Sequence, residues 1–462
     1  MPVDPIALLR VNGPLSAHRL AELMGASRPT LSRAARAAGA ALVVRGRARR
    51  TGYAARRALR GSLEPLPLFR IDREGTLHQI AELDLICPHG TAASFIGDFG
   101  WPLEEQMLDG WFEGLPYPMQ DMRPQGFLGR NFARHHAAVL QVNEDPTTWS
   151  DDDVLYALSI LGEDTPGDLL VGAPACRLWL DRVQRVASGE APAGSADSQL
   201  ALAYPKLASQ ALELGVVGSS AGGEFPKFTA LRQMANGALQ HVLVKFSGSD
   251  DSPGTRRWAD LLVCEHLAGR ALEAFAGIAA VRSRVYEHAG RTFLEVDRFD
   301  RHGALGRSPV VSWSSLNNAF VGAAGRAWGE AVGPLERKGW LGLHDVGRIQ
   351  RVWLFGQLIG NTDMHDGNLS FVPAQRGDGN VLQPAPIYDM LPMTYAPVRG
   401  VELPPRTYAP RLPLPAEAAA WRDASRAAIA FWELAADDQR ISAGFRQICG
   451  GNAALLGRLA TR

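Results

Sequence analysis

Two periods of apolar spacing alternate along the chain. A helical period opens it: Leu15, Leu20 and Leu23 share one face, and Gly25 breaks the pattern. Leu31, Ala34 and Ala35 resume it after Ser27, a good helix N-cap, until Gly39 ends it. This predicts two helices joined by a tight turn, the helix-turn-helix plan. ALVV (41–44), an arginine-loaded turn (RGRARR, 45–50) and TGYAARRAL predict a short β-hairpin wing. GSLEPLPLF (61–69), with two prolines, reads as a linker. Alternation in FRIDREGTLHQIAELDLI predicts two strands around Glu74-Gly75. Residues 90–130, rich in Gly, Pro and aromatics, predict an irregular packed region. A helix capped by Ser150 follows, then a turn at Thr165-Pro166-Gly167 and a strand. Residues 187–198, small and polar, read as a flexible loop.

Further on, Val242, Val244 and Phe246 alternate as one face of a strand, with Lys245 on the other. A lysine there is usually solvated at a sheet edge. A helical pattern over 256–275 carries Asp260 and Glu265, and RTFLEVDRFDR (291–301) reads as a strand ending in charges. Val346, Ile349, Val352, Trp353 and Leu358 predict a buried helix over 344–360. Directly after it the chain packs Asn361, Asp363, His365, Asp366 and Asn368 into one loop. Polar groups this dense are costly to bury unless each has a partner or ligand. About twenty residues later a short apolar strand, APIYD, ends in Asp389.

Length and composition narrow the class. A chain of 462 residues exceeds one hydrophobic core and predicts two to three domains. With no run of 18 apolar residues and no signal-peptide pattern at the N-terminus, the expectation is a cytoplasmic protein. Cys87, Cys176, Cys264 and Cys449 are far apart, without metal-ligand spacing, and read as reduced thiols.

Charge changes the picture of the N-terminus. The chain is neutral overall, yet residues 1–60 hold 12 Arg against Asp4 and Glu22, a net +10. Charge segregated this way predicts a module that meets a polyanion. Arg28, Thr30, Ser32, Arg33 and Arg36 on the second helix, and Arg45, Arg47 and Arg49 on the wing, are the candidate DNA contacts. The alternative is a small helical domain that binds protein.

The loop after the buried helix carries the candidate chemistry. Asp363 and Asn368 have the D-x-x-x-x-N spacing of a kinase catalytic loop, with the Asp as base and the Asn on a metal ion. Asp389 would be the second metal-binding acid, and hard oxygen donors of this kind suit Mg²⁺. Lys245 would pair the phosphates of ATP. GSSAGG (218–223) is a Gly/Ser-rich turn whose backbone N–H groups could cradle them; an ordinary hairpin turn is the other reading. His365 either contacts phosphate or is a hydrogen-bonded structural histidine, and Asp366 reads as a solvated turn residue. Two rival readings remain at this point. Asp363, His365, Asp366 and Asp389 could ligate the metal of a nuclease, or a kinase fold could serve as a non-enzymatic regulator.

GNTDMHDGNLSF (360–371) resembles the catalytic loop of HipA-type serine/threonine kinases, toxins of bacterial toxin–antitoxin pairs. VDRFDR (296–301) resembles their nucleotide hinge, VLVKFS (242–247) their strand with the ATP-contacting lysine, and PIYDM (386–390) their metal-site strand. The resemblance covers about residues 65–460. It implies an α+β protein: a winged helix-turn-helix over 1–62, a mixed-β N-lobe over 63–300 and a mainly helical kinase C-lobe over 301–462. It implies Asp363 as catalytic base and Asn368 and Asp389 as Mg²⁺ ligands. ATP would be held by Ser220, Ala221, Gly222, Gly223, Lys245, Asp297, Arg298, Phe299, His365 and Tyr388. Ser219 or Ser220 would be the serine whose autophosphorylation silences such kinases. The implied partners are DNA, a HipB-like antitoxin and a protein substrate of the aminoacyl-tRNA synthetase class. Two departures stand out. The family's AG-x-Q-x-K reads AGGEFPK here, with Glu224 for Gln and one more residue before Lys227. The helix-turn-helix, which relatives take from a separate antitoxin, is fused to this chain.

Overall fold

The computed structural model describes residues 4–190, 194–213, 225–374, 381–398 and 403–461. The chain is mixed α+β. It divides into two compact units, Met1–Arg123 with Ala137–Ala191 and Pro124–His136 with Pro192–Arg462. None of the helices among the described residues is long and apolar enough to cross a membrane.

The first unit begins with three helices, Pro5–Asn12, Ala17–Leu23 and Arg28–Ala38. Ser16 and Ser27 cap the second and third, accepting from the backbone N–H of Arg19 and Thr30. Leu9, Leu20, Met24, Leu31 and Leu42 close a small core beneath them. The strands Leu42–Arg45 and Gly52–Ala55 pair as an antiparallel ribbon. On the third helix Arg28, Ser32, Arg33 and Arg36 are exposed, and Thr30 is half-buried.

The expected linker is half strand. Leu66–Ile71 enters a five-stranded antiparallel sheet, between Leu77–Leu85 and Leu169–Val171. Its ladder with Leu169–Val171 starts at Leu68, so the N–H that Pro67 lacks falls outside it. The turn at Gly75 sits where alternation placed it. The stretch read as irregular contains the strand Thr91–Phe95 and the start of a 15-residue helix, Gly126–Leu140. Glycine signals hid that helix. A Cβ on Gly129 would lie 2.4 Å from a Pro124 backbone atom, so glycine is what lets the chain fold this closely.

The ribbon is not a free tip. Arg57 N–H donates to Leu85 O (2.8 Å) and Cys87 N–H to Ala55 O (2.9 Å), which joins it to the sheet strand. Val43, Ala54, Ile86 and Ala92 fill the seam. Asp84, 2% exposed, takes Arg45 at 2.5 Å and Arg56 at 2.9 Å. Arg50 reaches Glu105 and Asp109, Arg57 pairs with Asp152, and Arg60 with Asp153 (2.7 Å). Arg45, expected against DNA phosphates, is therefore committed inward, where it also donates to Ala93 O (2.9 Å). Arg47 and Arg49 are exposed.

The second unit holds a four-stranded antiparallel sheet in the order Ser283–His288, Arg291–Asp297, Leu239–Phe246, Lys227–Gln233. Val242, Val244 and Phe246 pack with Tyr204, Phe228 and Phe293 on one face. Period-two geometry puts Lys245 on the other. The strand is central, so Lys245 is buried rather than solvated at an edge. The rest of the unit is mainly helical: Pro253–Ala276, Leu343–Leu358, Ala418–Asp437 and Ala443–Ala460 pack together. Asp389 follows an isolated bridge, Ala280 to Ile387, not the strand the apolar run suggested.

Asp84 generates a prediction. Asp84→Ala leaves Arg45 and Arg56 largely buried without their carboxylate, and breaking a buried pair in this way costs about 3–5 kcal/mol. Urea denaturation of the whole chain should show a loss of that size. A loss under about 1 kcal/mol would mean that the seam holds without its charges.

Candidate active site

Three distant segments converge on one ammonium group. Lys245 Nζ donates to both carboxylate oxygens of Glu265, at 2.7 and 2.9 Å, and also to Asp389. The strand supplies the lysine, the Pro253–Ala276 helix supplies Glu265, and the segment after the Ile387 bridge supplies Asp389. Lys245 is 4% exposed and Glu265 8%, while about a third of the Asp389 side chain reaches solvent. Asp389 sits at φ 56°, in the left-handed region that a short polar side chain tolerates.

The charges shape one another. Burial would strip the proton from Lys245, but Asp389 and Glu265 override it and hold the pKa above the ordinary lysine value. Burial, with the Asp389 charge, pushes Glu265 up to about 7 against the pull of Lys245. Burial also works against the Asp389 carboxylate, yet Lys245 and Lys227 keep its pKa below the usual range. Lys227 stands directly across from Lys245 in the strand register, on the same face.

The polar loop is held by its own asparagines. Asn368 Nδ2 donates to Asp363 O (2.8 Å), and Asn361 Oδ1 accepts from Asp363 N–H (3.0 Å). Both asparagines are 6% exposed, and Asp363 is exposed. His365 caps the short 3₁₀ turn Asp366–Asn368 by accepting from Gly367 N–H at Nδ1 (3.1 Å). Asp366 is no free turn residue: it accepts from the fully buried Asn317 (2.9 Å). The Tyr388 hydroxyl donates to Gly367 O (2.9 Å) and lies 2.6 Å from Ser370 Oγ. Its ring stacks on Phe299, centroids 6.3 Å apart. Asp297 accepts from Arg284 (2.8 Å), and Arg298 closes on Asp300 at 2.8 and 3.0 Å. Ser219, Ser220, Ala221, Gly222, Gly223 and Glu224 lie outside the described residues.

Lys245 and Asp389 thus meet, Phe299 and Tyr388 meet, and Asp363 and Asn368 share one loop. Sequence reading gave Glu265, Asn361 and Lys227 no role in the site. Glu265 was visible only as an acid on a buried helix face. Lys227 becomes a neighbour of Lys245 only through strand register.

A hard cation fits the donor chemistry here. Asn368 turns its amide nitrogen to Asp363 O, which leaves the carbonyl oxygen as its other donor, and Asp389 adds a carboxylate. Among the described residues there is no group of three His, Cys, Asp or Glu side chains that could hold a metal. Two oxygen donors match Mg²⁺, which keeps water and phosphate oxygens for the rest of its shell.

Lys245→Met isolates two neighbouring carboxylates and should raise their pKa values. A raised carboxyl pKa gives stability below the unfolded value, near pH 4, that is lost as pH rises through the folded value. Urea midpoints of the variant should therefore fall more steeply than wild type between pH 5 and pH 8. Parallel curves would refute the charge balance drawn above.

Comparison with known proteins adds a family. Residues 62–180 match the middle domain of YjjJ-like toxins, and residues 219–450 match the HipA-like C-terminal domain. The chain is 38% identical over 442 residues to Toxin YjjJ of Escherichia coli (strain K12), covering 95% of this chain and 94% of that one. A solved chain from the Shewanella oneidensis MR-1 toxin–antitoxin complex of HipA, HipB and operator DNA aligns with a TM-score of 0.47 at 16% identity. It covers 86% of this chain and 95% of its own. The Helicobacter pylori proinflammatory kinase CtkA aligns at 0.25 and 18% identity, over 36% of this chain and 54% of its own. With a relative this similar along nearly its whole length, the chain belongs to the HipA-like toxin family.

Proposed function

We propose that the chain is an ATP- and Mg²⁺-dependent serine/threonine protein kinase that acts as the toxin of a toxin–antitoxin system. The observation that carries this is the buried Lys245 between Glu265 and Asp389, beside a loop that presents Asp363 and Asn368. Phosphoryl transfer is mostly positioning and charge neutralisation, so it needs a fixed cation, hard oxygen donors and a base. ATP and Mg²⁺, when bound, supply the phosphoryl group and screen its charge. Lys245, anchored by Glu265, orients the phosphates. Asn368 and Asp389 hold the metal. Asp363, exposed on a loop whose backbone is pinned, orients the acceptor hydroxyl and takes its proton. Phe299 and Tyr388, with Asp297 and Arg298, line the hinge side. A phosphate on Ser219 or Ser220 would add about −1.5 to −2 charges where ATP phosphates belong, which silences the enzyme. An aminoacyl-tRNA synthetase is the substrate class that the family resemblance suggests, and a HipB-like protein the antitoxin class.

The N-terminal helices and ribbon are proposed as a winged helix-turn-helix that binds DNA. The support is the exposed set Arg28, Arg33, Arg36, Arg47 and Arg49, with Ser32 beside them. Arg45 is left out because Asp84 holds it.

Transfer from γ-labelled ATP with Mg²⁺ tests the kinase. Label should appear on the wild type at Ser219 or Ser220, and Asp363→Ala should cut transfer by about 10²–10⁴-fold. No label on the protein or on added cell extract, with Asp363-dependent cutting of DNA, would replace the kinase by a nuclease. For the head, Arg33→Ala and Arg36→Ala should each weaken DNA binding and reduce the salt slope by about one. Unchanged slopes would remove this helix from the DNA contact.

A further inference from the structure

We infer that Asn361 is a positioning residue that ties the base segment to the metal-ligand segment, so that Asp363 and Asp389 move as one. The inference rests on the kinase reading for its chemistry and on the geometry of one buried side chain for its physics. Asn361 comes directly off the end of the Leu343–Leu358 helix. Gly360 takes φ 74°, and Asn361 N–H reaches back to Gly356 O (2.8 Å), closing the helix with an αL glycine. The backbone of Asn361 is therefore part of a rigid terminus. Its side chain then works in two directions. Oδ1 accepts from Asp363 N–H (3.0 Å), and Nδ2 donates to Asp389 O (3.2 Å), 28 residues away. Met390 Sδ lies 3.7 Å from the same nitrogen, and the residue is 6% exposed.

The first bond alone is a local turn of the kind Asn forms often. The second is not local. It fixes the carbonyl of a residue in a left-handed conformation, whose side chain must stay aimed at Lys245. With Asn368 Nδ2 on Asp363 O (2.8 Å), both polar groups of the Asp363 residue's backbone are held by buried asparagines. Only Asn361 also reaches Asp389. No step of the reaction passes through its amide. It touches backbone, and it acts by holding two carboxylates in register.

The test reads metal binding and turnover separately on the full chain. Mn²⁺ affinity is measured by electron paramagnetic resonance with a non-hydrolysable ATP analogue, and kcat and KM by labelled transfer. Losing an outer partner of a metal ligand typically costs about 10–100-fold in affinity or activity. Asn361→Ala should weaken Mn²⁺ binding about tenfold and lower kcat about 30-fold, with KM for ATP within about twofold of wild type. In the Asp363→Ala background, Asn361→Ala should cost less in transfer than it does in wild type, because one of the two carboxylates it positions is already gone. Asn361→Ser keeps an acceptor for Asp363 N–H but is too short to reach Asp389 O. It should recover part of kcat while Mn²⁺ binding stays weak, and it serves if the alanine variant does not fold. Wild-type Mn²⁺ affinity in either variant, or a serine variant that restores both quantities, would overturn the tie. If wild type transfers no phosphate, the kinase reading fails, and the Mn²⁺ measurement still decides whether Asn361 couples the two segments.

Discussion

The second unit depends on one buried ammonium group. Lys245 lies in a central strand where water cannot neutralise it, so the fold must bring carboxylates to it. Glu265 arrives on a long helix and Asp389 on a turn 144 residues along the chain from the lysine. This fixes strand register as well as charge. Val244 and Phe246 flank Lys245 and face an apolar cluster. A slip of one residue would drive the lysine into that cluster and turn both apolar side chains toward the carboxylates. Sheet, helix and loop are therefore specified together, and the helix that carries Glu265 also packs on Ala418–Asp437.

The head follows the same logic with opposite signs. A net +10 over 60 residues looks like a surface made for polyanions, yet part of that charge is structural. Arg45 and Arg56 close on Asp84, and Arg50, Arg57 and Arg60 reach acids from two other segments. The other arginines are exposed: Arg28, Arg33 and Arg36 on the third helix, Arg47 and Arg49 on the ribbon turn, Arg10 on the first helix, and Arg19, which pairs with Glu22, on the second. Counting charge along the sequence found the module, and only the fold separates the arginines that hold it together from those that face outward.

What the sequence made legible follows from local physics. Helix spacing and serine caps located the two head helices, period-two alternation located the Leu239–Phe246 strand, and polar density located the loop at Asn361–Asn368. What it hid was non-local. Pro67 made a sheet strand look like a linker, because the free side of its missing N–H is visible only once Leu169–Val171 is paired. Gly126 and Gly129 made a helix look irregular, because the glycine is needed for a close approach to Pro124. Glu265 carried no signal beyond being an acid on an apolar helix, since its partner lies 20 residues earlier on another element. Lys227 and Asn361 owe their places to register and to a contact across 28 residues.

The two buried ion clusters differ in a way that separates holding from doing. Asp84 meets two guanidinium groups, is 2% exposed, and sits under a seam of apolar side chains. Nothing in that arrangement is available for exchange. Around Lys245 the balance is reversed, with two carboxylates on one ammonium, and one of those carboxylates is a third exposed. Burial, with the Asp389 charge beside it, raises the pKa of Glu265, and two carboxylates on one ammonium favour any further cation that can share Asp389. A closed pair stabilises a fold, whereas an open, over-acidic one keeps part of its electrostatic energy for a ligand. Lys227 lies across the register, half-buried, and the buried Asn368 has its nitrogen already committed. The chemistry of this chain is therefore better read from where its buried charge is left incomplete than from where its charge is most abundant.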